Sequence, residues 1–153
     1  MKALSIRQPW AWLIIRPDII GDEARAKAVL SGEIKTIENR SRRTHYRGPL
    51  LIQASAGMTR REYDDAADWL METFGTTFNL PPFEKLERGG IVGQVEVTDC
   101  INENCNHWFV GPWGYVLANA KPLPFKPCKG ALNFFEVVSN DTGLVMTTPP
   151  VLT

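Results

Sequence analysis

The sequence predicts a single α+β domain built on a small, strongly bent sheet or barrel. Short segments with strand character alternate with a few helical segments, and glycine and proline stand at the turns between them. The chain has 153 residues, of which 44% are hydrophobic and 22% are charged, as in a soluble globular domain with one core. A second full domain is therefore not expected.

The first part of the chain predicts a strand at residues 3–6 and then a short helix. Pro9 stands in the first turn of this helix, where its missing N–H costs nothing, and Pro17 ends it. A second helical segment is expected within residues 18–31, and a β-type segment follows at residues 32–40.

A buried strand and the clearest helix come next. The strand covers residues 49–54 and ends in small residues that can border a ligand, among them Ser55. In residues 59–74 the apolar period becomes helical, with Thr59 as the N-cap and Glu62 as its partner in a capping box.

Three further strands are predicted in the second half, at residues 91–97, 115–117 and 134–138, and the last of these completes the strand count. Residues 139–153 mix Asn, Asp, Thr, Gly and Pro without periodicity, which predicts a C-terminal tail. The chain is thus divided into a domain at residues 1–138 and a tail.

Charge is balanced over the whole chain but segregated along it. Seventeen basic and seventeen acidic residues cancel, which argues against non-specific attraction to nucleic acid. A basic turn at residues 40–47 contains no carboxylate, and its cations could contact a nucleic-acid backbone or stay solvated. The candidates for backbone contact are Arg42, Arg43 and Arg47.

No apolar run approaches the roughly 20 residues needed to cross a bilayer, and the polar opening does not match a signal peptide. A cytoplasmic protein without membrane contact and with reduced thiols is therefore expected. Cys100, Cys105 and Cys128 could form a zinc site with His107, but their spacing is loose compared with paired knuckles. No metal and no cofactor is predicted.

The segment at residues 32–40 places a lysine, a carboxylate and an arginine at close spacing, which indicates a polar pocket. In an extended strand Lys35 and Asn39 would point to one face, and Glu38 and Arg40 to the other. A twist or bulge is needed for Lys35 and Glu38 to converge. The alternative is an edge strand whose charges are solvated and deter aggregation.

Four blocks of the sequence, taken in order, resemble the ASCH family. They are LSIRQPWA at 4–11, KTIENR at 35–40, YRGPLLI at 46–52 and GPWGY at 111–115. The resemblance runs from residue 4 to about residue 138 and leaves out the segment 19–30 and the tail. It implies a PUA-like small β-barrel with flanking helices, and a cleft beside the barrel that binds RNA or modified nucleosides.

One branch of the family hydrolyses the amide of N4-acylated cytidines with a lysine that Lys35 matches by position. Three residues later that branch has a threonine, where this chain has Glu38. Lys35 could act as a base if burial or a nearby charge lowered its pKa, and Glu38 would then move the proton. In a pocket that only binds, Glu38 would accept from an exocyclic amine while Lys35 and Arg40 bind carbonyl or phosphate oxygens.

Further ligand contacts are predicted around this pocket. Arg7 and Gln8 lie between a strand and a helix start, although Gln8 could instead cap the helix. Trp113 stands in a turn of glycine and proline and is predicted to form a pocket wall, whereas Trp10 is predicted to lie in the core. The predicted ligand-binding residues are Arg7, Gln8, Asn39, Arg40, Ser55 and Trp113.

Three functional classes stay open. The first is a module that binds RNA or a modified nucleoside or nucleotide. The second is a small hydrolase that acts on a modified cytidine or on RNA, with Lys35 and Glu38 as its catalytic residues. The third is a protein-interaction adaptor whose partner the sequence does not identify.

Overall fold

One mixed β-sheet with α-helices beside it forms the domain, in a computed structural model that describes residues 1–75, 78–140 and 143–148. The strands are β1 Lys2–Ile6, β2 Ile37–Arg40, β3 Gly48–Ala54, β4 Gly90–Ile101, β5 Trp113–Pro127, β6 Phe134–Asn140 and β7 Gly143–Thr148. The helices are α1 Trp10–Ile15, α2 Asp22–Ser31 and α3 Arg60–Phe74, with a 3-10 turn at Phe83–Lys85. The predicted α+β class is therefore confirmed.

The strands follow the order β2-β5-β4-β3-β1-β6-β7 across the sheet. β1 and β3 are parallel, and the other described pairs are antiparallel. β2 stands at one edge and β7 at the other, and in the described residues no backbone pairing joins these two strands. The sheet is open within that part of the chain, so the closed barrel is not confirmed.

Bulges bend the sheet until its two ends approach each other through side chains. The register between β4 and β5 shifts at three places, and each shift increases the local twist. Arg40 Nη2 on β2 donates to the carbonyl oxygen of Ser5 on β1 at 2.8 Å. The ring of Tyr115 on β5 stacks on that of Phe134 on β6 at 5.9 Å. Side chains thus bridge β2 and β1, and a cleft lies between these strands.

The central strands β1 and β3 are buried on both faces. Leu4 and Ile52 pack into one apolar cluster, whereas Ala3 and Leu51 belong to a cluster on the opposite side. A third cluster joins α1 and α3 and includes Leu70. Because both faces of β3 are covered, its sequence is an almost continuous apolar run rather than an alternation.

Side-chain oxygens accept hydrogen bonds from backbone N–H groups in the first turns of α3 and α1. Thr59 Oγ1 accepts a hydrogen bond from Glu62 N at 3.1 Å, and Glu62 Oε1 accepts one from Thr59 N at 3.2 Å. The predicted capping box at the start of α3 is therefore confirmed. At the start of α1, Gln8 Oε1 accepts from Trp12 N at 2.9 Å.

No helix in the described part of the chain is long and apolar enough to cross a membrane.

The β-type segment that contains Lys35 is shorter than the sequence pattern indicates. The strand begins only at Ile37, and Lys35 precedes it in a connection from α2. The backbone N–H of Lys35 donates to the carbonyl oxygen of Leu13 at 2.9 Å, which holds this connection against α1. Lys35 is therefore free of the alternation of faces that a strand would impose.

The prediction that the strand count ends at residue 138 is wrong. β6 continues to Asn140, and β7 pairs with it in antiparallel register. A return strand is hard to predict from the sequence, because Gly143–Thr148 has three apolar residues in succession and then two threonines, without the alternation of a half-buried strand. The remaining residues of the predicted tail, 141–142 and 149–153, lie outside the described residues.

Candidate functional site

A row of three charged side chains, Lys35, Glu38 and Arg40, lies at the edge of the sheet on and before β2. Lys35 Nζ lies 3.8 Å from Glu38 Oε1, and Arg40 Nη2 lies 2.9 Å from Glu38 Oε2. Arg40 Nε also donates to Glu38 Oε2 at 3.0 Å. Glu38 thus bridges two cations. The side chains of Lys35 and Glu38 converge because Lys35 precedes the strand, so no bulge in β2 is needed.

Lys35 is the most deeply buried cation of this row, with 4% of its surface exposed. Its ammonium group donates to the carbonyl oxygen of Ile37 and lies 5.8 Å from the ring centres of both Trp10 and Trp108. Burial lowers the pKa of the Lys35 ammonium, the Glu38 carboxylate opposes this effect, and Arg40 adds to it. Lys35 therefore loses its proton more readily than an exposed lysine.

A cavity of about 460 Å³ opens directly over this row, and we call it the tryptophan chamber. Its aromatic wall consists of Trp10, Trp69 and Trp108. Trp69 lies 5.6 Å from Trp10 and 5.9 Å from Trp108 between ring centres. Lys35 and Glu38 contribute charged groups to the lining beside this wall. The chamber therefore offers aromatic surface next to a buried donor and acceptor.

Two carboxylates from α3, Glu62 and Asp65, complete the lining of the chamber. Glu62 pairs with Arg7, whose Nε and Nη2 donate to its two oxygens at 2.6 and 2.7 Å. The hydrogen bonds from Arg7 and from the backbone of Thr59 lower the pKa of Glu62 to about 2. Glu62 is therefore ionised at neutral pH and held in an ion pair with Arg7 at the rim of the chamber.

Asn39 fixes the loop that carries Trp108. Its Nδ2 donates to the carbonyl oxygen of Trp108 at 3.0 Å, and its Oδ1 accepts from Val110 N at 2.8 Å and Gly111 N at 3.0 Å. The indole of Trp108 donates to the carbonyl oxygen of Gly32 at 3.0 Å. Asn39 borders the chamber, but its amide is occupied by this loop and supports the wall.

A larger cavity of about 940 Å³ adjoins the chamber, and we call it the arginine cleft. Trp10, Glu38 and Asn39 line both cavities and form the boundary between them. The cleft lies between β1, β2 and the loop before β6. Its lining includes the predicted ligand-binding residues Arg7, Arg40 and Ser55, together with the exposed Lys129.

Gln8 and Trp113, two further predicted contacts, lie outside the linings of the chamber and the cleft. Gln8 is buried, and its Nε2 donates to the carbonyl oxygen of Glu87 at 2.8 Å while its Oε1 caps α1. The alternative of a helix cap is thus the one observed. Trp113 is paired with Arg40 in the β2–β5 register, and its ring lies 5.6 Å from the guanidinium of Arg43.

The basic turn at residues 40–47 is partly engaged within the protein. Arg47 donates to the carbonyl oxygens of Thr44 and Tyr46 at 3.1 and 2.9 Å, and it lies 3.6 Å from Asp99. Arg43 covers Trp113. Arg42 lines a further cavity of about 420 Å³, which shares Arg40, Ser41, Leu132 and Asn133 with the cleft.

Several chamber and cleft residues were absent from the sequence prediction. On α3 they are Glu62, Asp65, Ala66 and Trp69, whose spacing places them on one helical face. The helical spacing was the available signal, because it puts all four side chains on the same face of α3. Trp10 was assigned to the core, yet it is partly buried and lies at the boundary of both cavities. Lys129 and Gln53 carried no signal in the sequence.

No cluster of three or more metal-binding side chains occurs in the described ranges.

A sequence model of the family described as ASCH domain matches residues 23–121, which is more than half of the chain. The match covers α2 to β5 and includes residues 23–30, which were expected to lie outside the resemblance. It does not include the block at 4–11. No curated protein sequence matches the chain at a significant level.

Proposed function

This chain belongs to the ASCH domain family, and we propose that it binds a nucleobase of RNA or of a modified nucleoside in the tryptophan chamber. The observation that carries the proposal is the position of Lys35 and Glu38 beside the aromatic wall. A base needs an aromatic surface for its ring and polar partners for its edge, and these lie within one cavity.

The size and chemistry of the chamber support this ligand class. A volume of about 460 Å³ falls within the range of roughly 300–1,000 Å³ that is usual for small-molecule sites. Glu38 can accept from an exocyclic amine, and Lys35 can donate to a neighbouring ring nitrogen or carbonyl oxygen. Such an amine beside an acceptor occurs on the Watson–Crick edges of cytosine and adenine.

Binding is tested by titrating the protein with cytidine, N4-acetylcytidine and adenosine while its tryptophan fluorescence is measured. Replacing Trp69 by leucine removes a half-buried part of the aromatic wall, and the affinity is expected to fall by about 5- to 150-fold, as for a lost base–aromatic stack. Trp113→Leu is the matched control, because Trp113 lies outside both cavities. Equal losses in the two variants, or no saturable binding by the wild type, would contradict the proposal.

Hydrolysis of an N4-acylated cytidine is the second candidate function. The lowered pKa of Lys35, next to the Glu38 carboxylate, is the observation that favours it. Neutral Lys35 would take a proton from water as the water oxygen bonds to the acyl carbon. The C–N bond would then break, and N4 would receive the proton back from Lys35 to leave cytidine and a carboxylic acid.

Mass spectrometry of N4-acetylcytidine incubated with the wild type and with Lys35→Ala separates these two functions. A hydrolase forms cytidine, at a rate that rises with pH as Lys35 loses its proton, and Lys35→Ala forms none. A binding domain retains the ligand unchanged. Product formed equally by both proteins would show that Lys35 takes no part in the reaction. If the wild type neither binds the ligand nor forms product, both candidate functions are contradicted.

A further inference from the structure

The two adjoining cavities differ in the sign of most of their charged lining residues, and Arg7 of the cleft pairs with Glu62 of the chamber. The tryptophan chamber is lined by one cation, Lys35, and by three carboxylates, those of Glu38, Glu62 and Asp65. The arginine cleft is lined by three cations and by the carboxylate of Glu38 alone. These cations are Arg7, Arg40 and Lys129. Because Glu38 belongs to both linings, the mainly acidic lining and the mainly basic lining meet at this residue.

The cations of the cleft keep donors for a ligand. Arg7 uses Nε and Nη2 for Glu62, and Arg40 uses Nε and Nη2 for Glu38 and for the Ser5 carbonyl oxygen. Within the described residues, neither guanidinium has a hydrogen-bond acceptor at Nη1. Lys129 is exposed, and no described carboxylate pairs with it. An anionic group in the cleft would therefore meet donors that the fold leaves available.

The floor of the cleft also contains a buried acceptor without a donor. Gln53 is 1% exposed, and its Nε2 donates to the carbonyl oxygen of Cys128 at 2.8 Å. Among the residues that the structure describes, no donor bonds to its Oε1. Gly130 lies directly above, since a Cβ added there would be 2.6 Å from this oxygen. A buried acceptor of this kind favours a donor such as a sugar hydroxyl, provided that the loop at Gly130 shifts to admit it.

From this charge pattern we infer that the arginine cleft holds the ribose and phosphate of a nucleotide whose base occupies the tryptophan chamber. The inference rests on the proposed function, because it extends the same ligand across the boundary at Glu38. The opposite orientation would place a phosphate against Glu62 and Asp65, where like charges repel it. The substrate class is thus a nucleoside phosphate rather than a free base or nucleoside.

The cleft continues past Arg40 and Ser41 into the cavity that Arg42 lines. A second phosphate of an RNA chain would therefore meet another exposed cation in the same direction. A free mononucleotide and an RNA chain both supply the first phosphate, but only the RNA chain supplies a second one. Comparing the affinities of the two ligands therefore shows which of them the cleft is suited to bind.

The test measures dissociation constants of cytidine, cytidine monophosphate and a short single-stranded RNA at several salt concentrations. Both phosphorylated ligands are expected to bind more tightly than cytidine at low salt and to lose this advantage as salt rises. The double variant Arg42→Gln/Lys129→Gln removes two exposed charges whose side chains form no ion pair or hydrogen bond within the described residues. It should weaken mononucleotide binding about 2- to 5-fold, weaken RNA binding more, and leave cytidine unchanged.

Lys121→Gln/Lys126→Gln is the control, because both lysines are exposed and lie outside the cleft. If cytidine binds but the phosphate adds no affinity, or if the two double variants behave alike, the inference is overturned while the proposed function stands. If neither cytidine nor the phosphorylated ligands bind, the proposed function fails and the inference fails with it. RNA bound more tightly than the mononucleotide identifies RNA as the source, and equal affinities identify a free nucleotide.

Discussion

Replacing Glu38 by glutamine removes the carboxylate that lies between Lys35 and Arg40 without changing the shape of the side chain. Arg40 is partly exposed and keeps its hydrogen bond to the Ser5 carbonyl oxygen. Lys35 is 4% exposed and would keep only the carbonyl oxygen of Ile37 and the faces of two tryptophans. The cost of the substitution therefore falls mainly on Lys35.

The expected magnitude follows from the 3.8 Å separation of Lys35 Nζ and Glu38 Oε1. At an effective dielectric constant of about 20, two unit charges at this distance attract by roughly 4 kcal/mol. Removing one partner of a buried pair costs about 3–5 kcal/mol in general. Lys35 can limit the loss by releasing its proton, so we expect about 3 kcal/mol at pH 7. For a domain of this size that corresponds to a decrease of roughly 6–12 °C in Tm.

The dependence on pH has a definite sign. Burial lowers the pKa of Lys35 in the folded protein, so the unfolded chain binds more protons between this pKa and the ordinary value of 10.5. Stability therefore rises with pH across that window. Glu38→Gln lowers the pKa further, because the carboxylate no longer favours the ammonium form. The difference in stability between wild type and variant should consequently shrink as pH approaches 10.5.

Urea denaturation followed by tryptophan fluorescence and circular dichroism measures these free energies, at pH 7 and at about pH 9.5. The cycle includes Lys35→Met and the double variant, in which the neutral side chain removes the unpaired charge. The double variant should regain about 1–3 kcal/mol relative to Glu38→Gln alone. A Glu38→Gln variant within about 0.5 kcal/mol of wild type at pH 7, or no recovery in the double variant, would show that the two groups are not a charged pair.

Three further predictions concern residues that stabilise the loop of Trp108, the start of α3 and the packing of β4. Asn39→Ala removes three hydrogen bonds to the loop of Trp108 and should cost about 2 kcal/mol, with faster amide hydrogen exchange in that loop. Glu62→Gln should weaken the dependence of the free energy of unfolding on pH in the acid range, measured by urea denaturation at several pH values. The ionised Glu62 stabilises the fold fully above its ordinary pKa of 4.5, and this stabilisation is lost as pH falls towards about 2. Gly93→Ala places a Cβ 2.7 Å from a carbonyl oxygen and should cost about 1–3 kcal/mol by denaturation, whereas Gly57→Ala, with no contact under 3.5 Å, should stay within about 0.5.

Local signals in the sequence predicted those elements whose ends and faces depend on neighbouring residues. The α3 helix is the clearest case, because the hydroxyl of Thr59 and the carboxylate of Glu62 satisfy each other's backbone within one turn. The β7 strand is the opposite case. It exists through its pairing with β6, and the open or closed state of a sheet depends on such long-range pairings, which no local periodicity contains.

The site was predictable where it lies on one short segment. Lys35, Glu38 and Arg40 were identified together because three charges within six residues are visible in the sequence. The wall opposite them was not, since Trp69 reaches the chamber only through the packing of α3 against the loop of Trp108. Trp113 is a second side chain whose position depends on pairing between distant strands. Its glycine-rich turn indicated a ligand contact, yet the β2–β5 register places it beneath Arg43.

The position of Lys35 is difficult to explain by stability alone. Replacing a buried ion pair by apolar groups of similar volume is often neutral or stabilising, so apolar side chains in place of both Lys35 and Glu38 would serve the core at least as well. The ammonium instead lines the tryptophan chamber, in a row whose central carboxylate, that of Glu38, borders both cavities. A group that costs stability, loses its proton readily and faces ligand-sized space is better accounted for by recognition or proton transfer. That is why the double-mutant cycle and the ligand titrations belong together: a Lys35→Met protein that is as stable as wild type but no longer binds would separate the two roles.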